Sequence, residues 1–225
     1  MSIEKEIENL LISDGAALAA CCELNIHTLK EFPNLKYAVS FAVKLSDTVL
    51  KTITDKPSVM YFQHYRTVNT KIDLLALKLV TFIENSGYFA MPVAASQSLG
   101  GNNRYEGLFP HKTAAVLSGL GYIGKNGLLI TEKYGSKIRL GTVLTDMPLI
   151  SPPVLNLDGC GDCKICSDAC PSGAIFGNNY KYDGNRDYII SAEKCSYYMK
   201  EKFQNIGRGS VCGICIKVCP KNKLL

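Results

Sequence analysis

Eight cysteines lie between Cys160 and Cys219, and no other feature restricts the fold and chemistry of this chain as tightly. The first run is Cys160-x2-Cys163-x2-Cys166-x3-Cys170, with Pro171 next. Three thiolates at two-residue gaps let one loop wrap three iron corners of a cubane. The fourth, one helical turn on and followed by proline, ligates the other cluster of a pair. The second run, Cys212-x2-Cys215-x3-Cys219 before Pro220, is the same pattern without its first member, and Cys195 upstream can supply that corner. The spacing predicts two [4Fe–4S] clusters, one on Cys160, Cys163, Cys166 and Cys219, the other on Cys170, Cys195, Cys212 and Cys215. Gly161, Gly173, Gly209 and Gly213 leave room for backbone N–H groups to approach the sulfurs, a lever on potential. The alternatives are structural zinc sites and disulfides. Zinc sites usually draw on two separated pairs, often with histidine, and no histidine follows His111.

Ten cysteines also bear on the compartment. The N-terminus, Met-Ser-Ile-Glu-Lys-Glu-Ile-Glu, is not a basic stretch followed by an apolar one, and no run of about 18 apolar residues occurs. A cytoplasmic protein with no membrane partner is expected. Disulfides are rare there, so the cysteines point to metal or redox chemistry. An apolar fraction of 47% and a charged fraction of 20% suit a globular chain, and 225 residues can bury a core without staples. The net charge of +5 tolerates an anionic cofactor, substrate or nucleic acid and requires none of them. Cys21 and Cys22, far from the rest, read as small buried residues in an apolar helix.

Hydrophobic periodicity predicts a helix from Ile3 to Asn25 and a buried strand over Lys36 to Leu45. A long helix over Tyr61 to Asn85 follows, with Ile72, Leu75, Leu79 and Phe82 on one face and Gly87 as its stop. Tyr88 to Ala95 reads as a strand. Gln97 to Pro110 reads as a loop around Gly100-Gly101-Asn102-Asn103, and Lys112 to Leu120 as a helix. Gly127 to Thr131 and Lys137 to Thr145 read as two strands joined at Tyr134-Gly135-Ser136. The prolines at 148, 152 and 153 mark a change of composition, which divides the chain into domains 1–150 and 151–225.

Gly119-Leu120-Gly121-Tyr122-Ile123-Gly124 matches the dinucleotide-binding fingerprint letter for letter. That mechanism needs a helix to open after the glycines, with its N-terminus on the pyrophosphate. Here Lys125-Asn126-Gly127 follows, then a strand-like Leu-Leu-Ile-Thr. The glycines therefore read as a tight turn that lets backbone approach a cofactor or the cluster domain.

With these residues placed, the chain resembles the epoxyqueuosine reductase family, which is related to the reductive dehalogenases. The matching segments are HKTAAVLSGLGYIGKNGLLI, YGSKIRLGTVLTDMPL, CGDCKICSDACPSGAI, CSYY and CGICIKVCP. The resemblance implies an α+β fold: a nitroreductase-like N-terminal domain that holds a corrinoid (cobalamin), and a ferredoxin-like double [4Fe–4S] domain that feeds it electrons. Lys125, Asn126 and Gly121, at the glycine turn, become candidate cofactor-binding residues, with a solvated turn the alternative reading of Lys125 and Asn126. The family carries an acid before its glycine stretch, where this chain has Pro110-His111-Lys112-Thr113, so His111 or Lys112 could donate a proton instead, and His111 becomes the candidate catalytic residue. The chain ends five residues after Pro220, so a short form without the helical-repeat domain is expected, which argues against tRNA binding. An electron donor such as ferredoxin or flavodoxin and an unidentified small-molecule or macromolecular substrate are the expected partners.

His64, in a tyrosine-rich stretch, reads as a packing residue or a pocket residue, and His27 as a surface residue. Arg104 and Tyr105 are weaker loop candidates, and Tyr197-Tyr198 reads as packing for the cluster domain. Two further functions compete with the corrinoid reductase. One is a non-catalytic electron carrier or reductive activator of a corrinoid protein. The other is a flavin-dependent reductase, since nitroreductase-like scaffolds also serve flavin enzymes.

Overall fold

In the computed structural model, which describes residues 1–100, 105–153, 159–181 and 185–222, the chain forms two compact units. The first comprises Met1–Lys44, Val68–Leu120 and Arg139–Leu155; the second comprises Leu45–Thr67, Gly121–Ile138 and Asn156–Leu225. The fold is α+β, with a double-cluster segment at the C-terminal end. Among the described residues no helix is long and apolar enough to cross a membrane.

In the first unit, α1 (Ile3–Ser13) starts where the Ser2 hydroxyl accepts from the Lys5 N–H, with Glu4 and Glu6 in the first turn. Ile7 and Leu11, one turn apart, are its buried face. The helix predicted to reach Asn25 stops at Asp14, because Gly15 adopts φ 99° and turns the chain back. Residues Leu18–Glu23 instead form strand β1, paired antiparallel with β2 (Tyr37–Lys44) in the register Leu18↔Ala42 to Glu23↔Tyr37. Pairing with a buried neighbour has overridden the helical preference of Leu-Ala-Ala. Cys21 and Cys22 thus sit on a strand, on opposite faces, and both are buried.

The sheet order is β1-β2-β6-β3, completed by β3 (Ala90–Val93) and β6 (Ile138–Thr145), which pair antiparallel. One core cluster joins Cys22 and Leu24 to Ala38, Val93, Phe109, Ala114 and Leu144. The long helix α3 (Val59–Asn85) buries Ile72, Leu75, Leu79 and Ile83, while Phe82 is only half-buried. It ends as predicted at Gly87, φ 87°. The Tyr88 N–H bonds back to the Ile83 carbonyl and the Gly87 N–H to the Glu84 carbonyl, which satisfies two orphan acceptors. Helix α4 (His111–Leu117) follows the loop, whose residues 101–104, Arg104 among them, lie outside the described residues.

The second unit is built around the cysteine runs. Strands β4 (Tyr122–Ile123) and β5 (Leu129–Ile130) form a small hairpin. No helix opens after the glycine fingerprint, so the dinucleotide geometry is absent from this stretch. The strand predicted over Gly127 to Thr131 pairs with β4, not with β6, and only a bridge between Thr131 and Gly135 remains of the expected hairpin. Short helices α5 (Ile165–Asp168) and α7 (Ile214–Lys217) carry Cys166 and Cys215, and α6 (Ala192–Phe203), capped by Ser191, carries Cys195.

The two units do not divide at 150/151 as the prolines suggested. The cysteine-bearing segment also draws in Leu45–Thr67 and Gly121–Ile138 because these fill its interior. A Cβ on Gly213 would lie within 3 Å of the Tyr61 ring, and one on Gly207 within 3 Å of the Phe62 ring. The Asn222 carbonyl oxygen accepts from the Ser136 N–H at 2.7 Å and from its hydroxyl at 3.1 Å. Backbone groups of the 134–137 turn are satisfied in this way by the end of the second run.

Candidate metal centres

Four cysteines from the two runs line one cavity: Cys160, Cys163 and Cys166 from the first and Cys219 from the second. The cavity is completed by Lys125, Asn126 and Ile130 from the hairpin and by Pro220 and Lys221. Local backbone bonds shape the donor set. The Cys163 N–H bonds to the Cys160 carbonyl at 3.0 Å, and the Cys219 N–H to the Ile216 carbonyl at 3.2 Å. Burial pushes the Cys166 thiol up to about 11, and its neighbours Cys219, Cys160 and Cys163 add to the rise. Burial likewise raises Cys219, and positive charge among the sulfurs, which an iron core supplies, relieves that penalty.

The other four form a second group. Burial raises Cys195 to about 11, with Cys212 and Cys170 adding to it. Cys215 is raised by burial, then by Cys212, Cys195 and Cys170, and last by Cys166 of the first group. Cys170 differs. Burial acts to raise it, but the Ser172 hydroxyl, at 3.3 Å, and the N–H groups of Ser172, Ala174 and Ile175 together carry it below its ordinary value. That nest is one the sulfur of a ligated thiolate can keep. Both donor sets are all-thiolate, and the residues present fit iron–sulfur clusters. Among the described residues no three Cys, His, Asp or Glu side chains close on a single point as the ligands of one ion do.

The glycine turn meets the first cysteine group. Gly121 has no room for a Cβ because the Ile130 backbone passes within 3 Å, so glycine here permits the close approach of β4 and β5. Lys125 and Asn126 are buried, not on a solvated turn. The Asn126 amide donates to the Cys215 carbonyl at 3.5 Å, and its oxygen accepts from the Leu128 N–H at 3.1 Å. Asn126 therefore lines the cavity of one cysteine group and holds the backbone of the other.

The first unit has its own cavity, about 420 Å³, between the end of β3 with residues 94–98, the loop Tyr105–Phe109 and His111. His111 Nε2 donates to the Ala94 carbonyl at 3.1 Å, which leaves Nδ1 to accept from the Thr142 hydroxyl at 2.8 Å. Burial holds its pKa down, so the ring is neutral near pH 7. Both nitrogens are engaged, and His111 in this geometry braces α4 against the sheet at the edge of the cavity. Tyr105 and Glu106 line the same cavity.

Sequence reasoning missed the residues that fix this rim. Arg139 donates from Nε to Asn69 at 3.0 Å and from a terminal nitrogen to the Ala95 carbonyl at 3.3 Å, while Asp73 accepts from the Ala95 N–H at 2.9 Å. A charge inside the apolar strand Ile-Arg-Leu was the signal that could have found Arg139. His64 accepts from the Ser46 N–H at 3.0 Å and so packs against the start of α2 (Asp47–Lys51). His27 is exposed, as is Tyr197, whereas Tyr198 stacks edge-on against Phe203.

Residues 159–222 match the family described as a 4Fe-4S double cluster binding domain. The epoxyqueuosine reductase of Staphylococcus aureus (strain NCTC 8325 / PS 47) is 34% identical over 164 residues, which cover 72% of this chain and 39% of that protein. This chain is a relative of the epoxyqueuosine reductases. It spans well under half the length of the curated epoxyqueuosine reductases it matches. Solved structures share the fold of this epoxyqueuosine reductase relative. A reductive dehalogenase whose structure suggests a mechanism for B12-dependent dehalogenation superposes with a TM-score of 0.77 at 19% identity, covering 96% of this chain and 31% of that one. An epoxyqueuosine reductase with an epoxyqueuosine-modified tRNA stem loop superposes with a TM-score of 0.62 at 21% identity, covering 98% of this chain and 65% of that one.

Proposed function

We propose that this protein is an iron–sulfur oxidoreductase with one [4Fe–4S] cluster on Cys160, Cys163, Cys166 and Cys219 and another on Cys170, Cys195, Cys212 and Cys215. The observation that carries the reading is the crossed donor set. Cys219, the last cysteine of the second run, lines one cavity with the first three of the first run. Two adjacent clusters, when bound, supply one-electron transfers to an acceptor. The protein's own part is to hold the thiolates and keep the Asn126 contact between the two groups. The physiological donor is a ferredoxin or flavodoxin in this reading.

The acceptor belongs to the α+β unit. A corrinoid is the acceptor that the reductive dehalogenase relationship suggests. The 420 Å³ cavity beside His111 is the size of a small-ligand pocket, too small to enclose a whole corrinoid, so its residues hold at most one edge of such a group. An epoxide is the substrate class suggested by the epoxyqueuosine reductases, and its conversion to an alkene and water consumes two electrons and two protons. A macromolecular substrate fits the same reading, and tRNA stands among the candidates because a relative of this fold holds a tRNA stem loop.

Anaerobic purification with metal and chromophore analysis tests this. About eight irons and about eight sulfides per chain, with two reducible signals, are expected. Zinc in place of iron, or a single cluster, overturns it. Cobalt that co-purifies or is retained on reconstitution supports the corrinoid acceptor, and a yellow chromophore released by acid replaces it with flavin. Reversible cluster reduction with neither group retained makes the protein an electron carrier or activator.

A further inference from the structure

Two lysines are buried among the described residues, Lys125 and Lys137. Lysine is almost never buried without a partner, because removing an ammonium from water is costly unless an opposite charge replaces the solvent. Lys137 has its partner: Nζ lies 2.6 Å from Asp47, itself shielded. Lys125 is also buried, at 6% exposure, and lines a cavity that no carboxylate lines among the described residues. What lines it, besides Ile130, Pro220, Asn126 and the exposed Lys221, is the set Cys160, Cys163, Cys166 and Cys219.

We propose that Lys125 is the resident countercharge of the first [4Fe–4S] cluster and holds its potential above that of the second. This rests on the cluster assignment above. Four thiolates around a cubane core of charge 2+ leave a net charge of 2−, and uptake of one electron makes it 3−. An ammonium fixed in a dry cavity stabilises the more negative state more, so it favours reduction. The step transfers one electron and no proton.

The hairpin places Lys125 there. Gly124 is forced to be glycine because a Cβ would lie 2.8 Å from Ile130 Cγ1, and this close turn carries Lys125 and Asn126 inward together. Asn126 then reaches the Cys215 carbonyl of the second group. The turn thus charges one site and braces its neighbour, and an electron arriving at the second cluster would pass downhill to the first.

Potentials of the full chain, reconstituted anaerobically and titrated by EPR, test this. In the unaltered protein, two signals with about eight irons establish the cluster reading itself. The signal that survives Cys195→Ala identifies the first cluster. Lys125→Gln should lower that signal's reduction constant about tenfold, about 59 mV for a one-electron couple, and leave the other in place. Lys221→Gln, at an exposed lysine on the same rim, should move it far less. Iron retained with neither signal shifted, or both shifted equally, overturns the proposal. If Lys125→Gln takes up no iron, Lys125→Arg decides. A cluster kept near its original potential supports a role for charge, and loss of the cluster despite the retained charge overturns it.

Discussion

Residues 163–170 and 212–219 repeat one hydrogen-bonded frame and meet very different surroundings. In both, the N–H of the fifth helical-turn residue returns four positions: Asp168 to Lys164 and Lys217 to Gly213, each at 3.0 Å. The next pair, Ala169 to Ile165 and Val218 to Ile214, and the closing pair, Cys170 to Ser167 and Cys219 to Ile216, match to within 0.1 Å. Yet Ile165 is 47% exposed and Ile214 is 5% exposed. Cys-x2-Cys-x3-Cys is therefore a local device for aiming three sulfurs, indifferent to what packs outside it. The environment then differentiates the two sites, with Lys125 at the first and the Ser172 nest on Cys170 at the second.

The largest effect expected from breaking this pairing is at Cys195, which with Cys160 is one of two proposed ligands outside the frames and the one far from either in sequence. Cys195→Ala should remove the second cluster or leave a three-iron form, while the first is largely kept. Iron analysis would fall from about eight to between about four and about seven per chain, and EPR would show which signal is lost. Two intact clusters in that variant would end the assignment of the eighth ligand and, with it, the crossed arrangement.

A smaller effect separates the glycines at matched turns. Gly213 adopts φ 80° and faces the Tyr61 ring, whereas Gly161, φ 47°, has nothing within 4 Å of its missing Cβ. The left-handed backbone alone costs alanine about 1 kcal/mol, and overpacking a fully buried tyrosine adds about 2 kcal/mol. Gly213→Ala should therefore destabilise the holoprotein by about 3 kcal/mol and Gly161→Ala by about 1 kcal/mol in anaerobic denaturant titrations. Equal losses would show that the second run is not packed as tightly as its surroundings suggest.

This contrast also explains which parts were legible in the sequence. The cysteine frames, the β2 strand and the stop at Gly87 depend on contacts a few residues apart, and spacing alone revealed them. Leu18–Glu23 was read as helix because its strand identity exists only through Tyr37–Lys44. Lys125 looked like a turn residue because its burial is created by Ile130 and by cysteines up to 94 residues away. The partners of His111 were hidden because Ala94 and Thr142, which occupy both its nitrogens, are distant in the chain. Asn69, Asp73 and Arg139 escaped notice for the same reason: each is ordinary on its own element and acts only where Ala95 meets them.

The smallest prediction compares the two frames directly at their shared isoleucine. Removing one methylene from Ile214, packed at 5% exposure, leaves a void its neighbours cannot fill, and Ile214→Val should cost about 1 kcal/mol. Ile165→Val, at the same place in the first frame but half in solvent, should fall within about 0.5 kcal/mol of the unaltered protein. Thermal unfolding of both variants with clusters in place measures the difference. If the Ile165 change cost as much as the Ile214 change, the exposed side of the first frame would have to be covered by something in solution. That surface would then be the place to seek a donor.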